Sequence, residues 1–147
     1  MAKPGSYAIS EVDGADASIA AMLVELHAEC FSASTPAIEP AEGWWWIAWV
    51  GEEPAAFAGM RRAANTPGTI YMSRAGVLPA HCGHKLQLRM IRLREAKARR
   101  LGFTRAISDT TDNIASSNNL ILAGSHLFRP AYRWGFERSL YWQKDLT

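Results

Sequence analysis

Net charge is nearly absent from this chain: 16 Lys and Arg stand against 14 Asp and Glu, leaving a formal +2 over 147 residues. A balance that mild gives no general attraction to nucleic acid. Cysteine is scarce, with only Cys30 and Cys82, far apart. The opening MAKPGSYAIS also lacks the apolar core of a secretion signal, so free thiols and a cytoplasmic location are expected. No apolar run approaches the roughly 20 residues that cross a bilayer, since the densest, WWWIAWV over Trp44–Val50, has only the length of a strand. Internal repeats, low-complexity tracts and composition breaks are missing as well. That excludes a repeat array and leaves one domain, residues 1–147, as the expectation.

Apolar side chains make up 48% of the residues, enough for a sizeable core. The charge is unevenly placed: from Arg61 to Arg105 the only acid is Glu95, so a basic face is expected despite the small mean charge. Tyr7, Ile9 and Val12 suggest a short opening strand. Behind the candidate caps Asp13 and Asp16, residues Ile19, Met22, Leu23 and Leu26 recur at helical spacing. Two prolines among small residues make 31–43 a loop or a broken helix. Three strands are predicted over Trp44–Val50, Ala55–Arg62 and Thr69–Leu78, separated by the turn signals GEEP and NTPG. After Gly83 the period becomes helical, with Leu86, Met90, Leu93 and Leu101 on one face and Lys85, Arg89, Arg92, Arg99 and Arg100 on a flank. A strand over Phe103–Ser108, a short helix over Ala115–Ala123 closed by Gly124 and a strand over Glu137–Lys144 complete an α/β or α+β mixed sheet. The tryptophans of the first central strand alternate sides, with Trp45 opposite its neighbours.

The most informative segment is VLPAHCGHKLQ, Val77–Gln87, in which a strand end and a proline lead through a small loop into the basic helix. The first turn of a helix carries unpaired N–H groups and a partial positive charge, and Gly83 allows close approach, so the segment suits a phosphate. Further on, DTTDNIASSNNLILAG sets a polar loop after a strand and Asn113 at the start of a short helix, where it would also serve as a cap.

Together these two segments resemble the GCN5-related N-acetyltransferase (GNAT) family. Its acetyl-CoA motif runs Val, any residue, Pro, two spacers, Gln or Arg, two spacers, Gly, one spacer, then Gly or Ala. Val77 and Pro79 match, Gly83 takes a spacer position and Leu86 an apolar slot, while Cys82, Lys85 and Gln87 depart from the pattern. In the second motif an Asn after the fifth strand is followed by Ala or Ser three residues on and a Gly at the helix end, matched by Asn113, Ser116 and Gly124. The resemblance runs from about Trp44 to the C-terminus, and the opening strand and helix agree with it.

The resemblance implies a mixed, mostly antiparallel sheet of six to seven strands flanked by helices and splayed between the fourth and fifth strands. It implies acetyl transfer from acetyl-CoA to a primary amine by direct attack in a ternary complex, with the acceptor open. Backbone groups from Cys82, Gly83, His84, Lys85, Leu86 and Gln87 would hold the pyrophosphate, and Gly76, Val77 and Leu78 would pair with pantetheine. Asn113 and Ser116 would complete the cofactor site, and the Val77 N–H would polarise the acetyl carbonyl. Many members carry a Tyr seven residues after the Asn to protonate the departing thiolate. Here that position is Leu120, and Tyr132, Ser125 and His126 are substitutes by sequence proximity only.

An acceptor amine must lose a proton before it attacks, so a base is needed near the strand junction. Asp109 is the candidate, with an alternative role as acceptor for backbone N–H groups in DTTDN, and Glu25 and Glu29 remain open. Tyr132 and Trp134, in RPAYRWGF, are candidate acceptor-binding residues. His27 and Cys30 share a helix face and His81, Cys82 and His84 cluster, but their spacing is not that of a zinc ligand pair, so no metal is expected. A homodimer through exposed sheet edges is an open expectation. The rival to an enzyme is a non-catalytic module of the same shape that binds CoA or, through its basic helix, nucleic acid.

Overall fold

The computed structural model describes residues 6–147. Strand β1 (Ala8–Val12) leads through the Asp13–Asp16 turn into helix α1 (Ala17–Cys30). Of the two candidate caps Asp16 is the one at the helix start: its carboxylate accepts the N–H groups of Ser18 and Ile19. Residues 31–43 contain no regular helix or strand. Strands β2 (Trp44–Val50) and β3 (Glu53–Arg62) then form a hairpin through Gly51 at positive φ.

The predicted fourth strand is interrupted. Thr69–Tyr71 forms β4 and Ala75–Val77 forms β5, with Met72–Arg74 bulging between them. Both pieces lie along β3, β4 beside its end at Arg61 and Arg62, β5 beside Ala56–Ala58. One turn of 3-10 helix over Pro79–His81 leads to helix α2 (Leu86–Arg100), followed by β6 (Arg105–Thr110), α3 (Ile114–Leu122), a two-residue β7 (His126–Leu127) and β8 (Leu140–Asp145). The sheet order is β1-β2-β3-β4-β6-β8-β7, with β5 beside β3. Among the described residues only the β4–β6 pairing is parallel; the other pairs are antiparallel. Counted with β4 and β5 as one interrupted strand, this is the expected mixed, mostly antiparallel sheet.

Helices cover both faces of β2 and β3, which is why that hairpin reads as an unbroken apolar run. On one face α1 packs Leu23 and Leu26 against Trp45, Ile47 and Phe57. On the other, α2 packs Leu86 and Met90 over Ala48, Ala56 and Ala58, and Ala98 joins Trp46, Met60 and Ile70. Trp45 and Trp46 do point to opposite faces, and both are buried. Their rings dominate the core: each buried aromatic removes on the order of 150–250 Å2 from water.

The helical face expected of α2 needs correcting. Leu93 and Leu101 are exposed, while Leu88, Ile91, Arg94 and Glu95 are buried with Leu86 and Met90. Two charges sit inside because each is satisfied there. The Arg94 guanidinium donates to the carbonyls of Gly59, at 2.9 Å, and Met90, at 3.2 Å. Glu95 accepts from Lys144 of β8 at 2.9 Å. No helix among the described residues is long and apolar enough to cross a membrane.

Candidate active site

The break between β4 and β5 creates the site. β4 runs parallel to β6, with Tyr71 opposite Ile107, and the last bond of that ladder runs from the Met72 N–H to the Ile107 carbonyl. β5 then stays with β3 while Ser108–Thr110 continue with β8, so the sheet splays between them. This is the expected divergence of the fourth and fifth strands. It opens a cleft of about 610 Å3 whose walls include Met72, Arg74, Ala75, Ile91, Asp109 and Leu120.

The N–H of Leu78 donates to Ala55 across the β3–β5 ladder at 2.9 Å. In an antiparallel pair successive residues point their backbone groups to alternate sides, so the Val77 N–H is turned away from β3. Gly76 lies against α1: a Cβ there would come within 2.7 Å of the Cys30 Cβ and 2.8 Å of the Phe57 ring. Helix α1 therefore packs directly on the splayed strand. Burial raises the Cys30 thiol to about 11, so it is inert in the neutral range.

Between β5 and α2 the loop is held by its neighbours. Tyr7 reaches from the start of the chain to bond His81 Nδ1 at 3.0 Å, and its ring lies 5.0 Å from that of His84. Cys82, Gly83, His84 and Lys85 are exposed, and Leu86 is buried beneath them. Gly83 has φ +89 with nothing within 4 Å of the place of a Cβ. Lys85, the residue just before α2, is left-handed at φ 60 and ψ 24. Here the departure from the family pattern becomes intelligible: a lysine holds the backbone shape that glycine adopts without strain.

The start of α2 carries no side-chain cap, whereas Asp16 and Asn113 cap α1 and α3. Its first-turn N–H groups are thus left for an anion, with Gly83 exposing the loop backbone and no acid in that turn. These residues fit a pyrophosphate. Gln87 plays a different part: its side-chain amide donates to Ser116 Oγ and accepts from Asn119 Nδ2, each at 2.9 Å, tying α2 to α3. Asn113 accepts the Ser116 N–H at 2.9 Å, the capping role.

Asp109 stands on β6 just past the end of its pairing with β4, on the cleft wall. Its Oδ1 accepts from the Tyr71 hydroxyl and, at 3.1 Å, from Trp134 Nε1. Both bonds fall on one oxygen, and among the described residues Oδ2 receives none. Burial, reinforced by the neighbouring carboxylate, holds the Tyr71 phenol well above its ordinary range, so it remains a donor. Trp134 therefore touches Asp109 directly, while Tyr132 is 77% exposed on the loop beyond it. Leu120 is buried on the cleft wall and offers no proton.

From the sequence alone, no site role falls to Tyr7, Tyr71 or Arg94. Only the pairing of β4 with β6 sets Tyr71 next to Asp109. Among the described residues no three His, Cys, Asp or Glu side chains converge as a metal site.

A model of the acetyltransferase (GNAT) family matches residues 15–120. Solved structures share the fold at low identity. The ribosomal-protein-S18-alanine N-acetyltransferase from Escherichia coli is 10% identical, with 97% of this chain and 95% of that one covered at a TM-score of 0.73. An acetyltransferase from Bacillus subtilis in complex with CoA is 14% identical, covering 97% of this chain and 100% of that one at 0.66. A chain of the NatC complex bound to Gag peptide and CoA is 15% identical, covering 97% and 99% at 0.78. No curated protein matches the sequence. The family match spans well over half of the chain and includes the splayed strand, the loop and α2 that build the cleft: the chain belongs to the acetyltransferase (GNAT) family.

Proposed function

We propose that this chain, as a single domain over residues 1–147, transfers an acetyl group from acetyl-CoA to a primary amine by direct attack in a ternary complex. The observation that carries this is the cleft itself, with an uncapped helix start at one end and a carboxylate with a free oxygen on its wall. Acetyl-CoA would supply the activated thioester. The N–H groups from Cys82 to Gln87 would take the pyrophosphate, and the outward edge of β5 would pair with the amide-bearing arm.

The acceptor arrives as an ammonium and must lose a proton. Asp109 Oδ2 is the base, while Tyr71 and Trp134 hold Oδ1 and fix the carboxylate plane. The nitrogen then adds to the thioester carbon, and the Val77 N–H stabilises the oxygen as it gains charge. A C–N bond forms, the nitrogen gives up its second proton to solvent, and the C–S bond breaks as the thiolate departs with the electron pair. Leu120 supplies no proton, so the thiolate is protonated from solvent.

Two measurements test the reading. Acetyl-CoA should raise the thermal midpoint, by about 2.7 kcal/mol of stabilisation at one hundred times its dissociation constant. Thiol release across an amine panel should then fall by roughly 10^2 to 10^4 in Asp109→Asn, the range for loss of a general base. Acetyl-CoA binding without turnover of any amine would favour the non-catalytic module instead.

A further inference from the structure

A second cavity, of about 730 Å3, lies beside the cleft and is walled by Arg61, Tyr71, Arg105, Phe128, Arg129 and Trp134. Arg62 also borders it, and no Asp or Glu does. Among the described residues none of these arginines forms an ion pair. Arg105 is oriented by a neutral partner, with Nε and Nη2 donating to Gln143 Oε1 at 3.1 and 2.8 Å, and its guanidinium rests over Phe128 at 5.0 Å. Arg61 lies over the Tyr71 ring at 5.1 Å. Stacking on a ring face leaves guanidinium edges for a carboxylate or phosphate: for Arg105 this is the Nη1 side, because Nε and Nη2 are on Gln143. Neither group has an ion-pair partner among the described residues, although Arg61 also borders a smaller pocket that Glu39 and Glu42 line.

The position separates this pocket from the cofactor phosphates. Arg61, Tyr71, Ile107 and Gln143 form one row across β3, β4, β6 and β8, and so share a face of the sheet. Helix α2, whose start suits the pyrophosphate, packs on the opposite face over Met60, Ile70 and Ala106. Helix α1 packs on β3 and β5. Tyr71 joins the two sites: its ring walls the arginine pocket and its hydroxyl holds Asp109 on the cleft wall.

We infer that the acceptor is an anionic amine, a primary amine carrying a carboxylate or phosphate several bonds from the nitrogen, with Arg61 and Arg105 gripping the anion and the amine reaching Asp109 past the edge of Tyr71. Arg129, exposed on the loop rim, adds to the field that draws the anion in. The inference rests on the acetyltransferase reading proposed above.

The test uses matched acceptors with acetyl-CoA: amines with a free carboxylate, their methyl esters, and the corresponding phosphate-bearing amines. The expected result is at least a tenfold higher kcat/KM for an anionic member than for its neutral partner, carried by KM. Which anionic series leads distinguishes carboxylate from phosphate. Arg61→Ala and Arg105→Ala should erase that preference, and Arg61→Glu should reverse it. Binding is read independently of turnover by titrating the free acids and phosphates into CoA-saturated protein while following the Trp134 indole N–H resonance. A saturable shift, lost in Arg105→Ala, is expected. Equal use of neutral and anionic amines, or no resonance shift with any anion, overturns the inference. If acetyl-CoA still binds and neutral amines are turned over, the acetyltransferase reading stands and only the anion site falls; if acetyl-CoA does not bind, both fall.

Discussion

Lys85 and His27 each carry a cost visible in single side chains. Lys85 sits at φ 60, where a residue with a Cβ is strained by about 1–2 kcal/mol. Glycine would relieve that and return about 0.4–1 kcal/mol through the flexibility of the unfolded chain. Lys85→Gly should therefore stabilise the fold by about 0.5–1 kcal/mol in urea unfolding. If its ammonium also meets the pyrophosphate, the same variant binds CoA more weakly although it is more stable, and opposite signs in the two assays separate the roles. His27 is buried against Phe31 and Phe57, and among the described residues its Nε2 has no partner. Burial, then the nearby Arg74 charge, hold it below the ordinary histidine value. The unfolded chain thus takes up a proton first as pH falls, so stability drops from about pH 6.5 downward and is unaffected above. In His27→Phe that acid-side loss should shrink, as followed by urea midpoints from pH 5 to 8; an unchanged slope would remove His27 as its cause.

Among the elements, helix α2 and the interrupted fourth strand depend on each other. The buried Arg94 donates to the Gly59 carbonyl, which also accepts the Ser73 N–H at 3.2 Å in the bulge between β4 and β5. Burial lowers the Arg94 guanidinium to about 10, so it stays charged at neutral pH. Its bonds hold β3 where the two strand pieces part company. Arg94→Met should cost about 1.5–3 kcal/mol, the usual worth of hydrogen bonds to a charged group. Because the bulge sets the splay, acetyl-CoA affinity should fall as well. A stability loss with unchanged affinity would confine Arg94 to packing. Gly59 belongs to the same junction: a Cβ there would lie 2.5 Å from the Trp45 ring. Gly59→Ala should therefore destabilise by about 1–3 kcal/mol through overpacking, measurable as a lowered urea midpoint.

For the molecule as a whole, the sequence by itself determined the succession of the main elements, apart from β7 and the break in the fourth strand, together with the loop before α2 and the Asn113 cap, because these depend on residues close along the chain. The strand boundaries differ where pairing partners decide them, as for β6, which runs over Arg105–Thr110 alongside Leu140–Asp145. What only the tertiary structure decided involves residues far apart. The buried face of α2 follows from the sheet carbonyls that accept Arg94 and the Lys144 that meets Glu95, so a helical period alone places those charges in solvent. Tyr71 and Asp109 are 38 residues apart and meet only because β4 and β6 run parallel for three residue pairs before the sheet splays. The basic stretch divides in the same way: its even spread along the chain conceals that Arg61 and Arg105 share one face of the sheet while the start of α2 lies on the other. Short-range order is written in backbone preference and periodicity, whereas a site assembled across strands exists only once their register has closed.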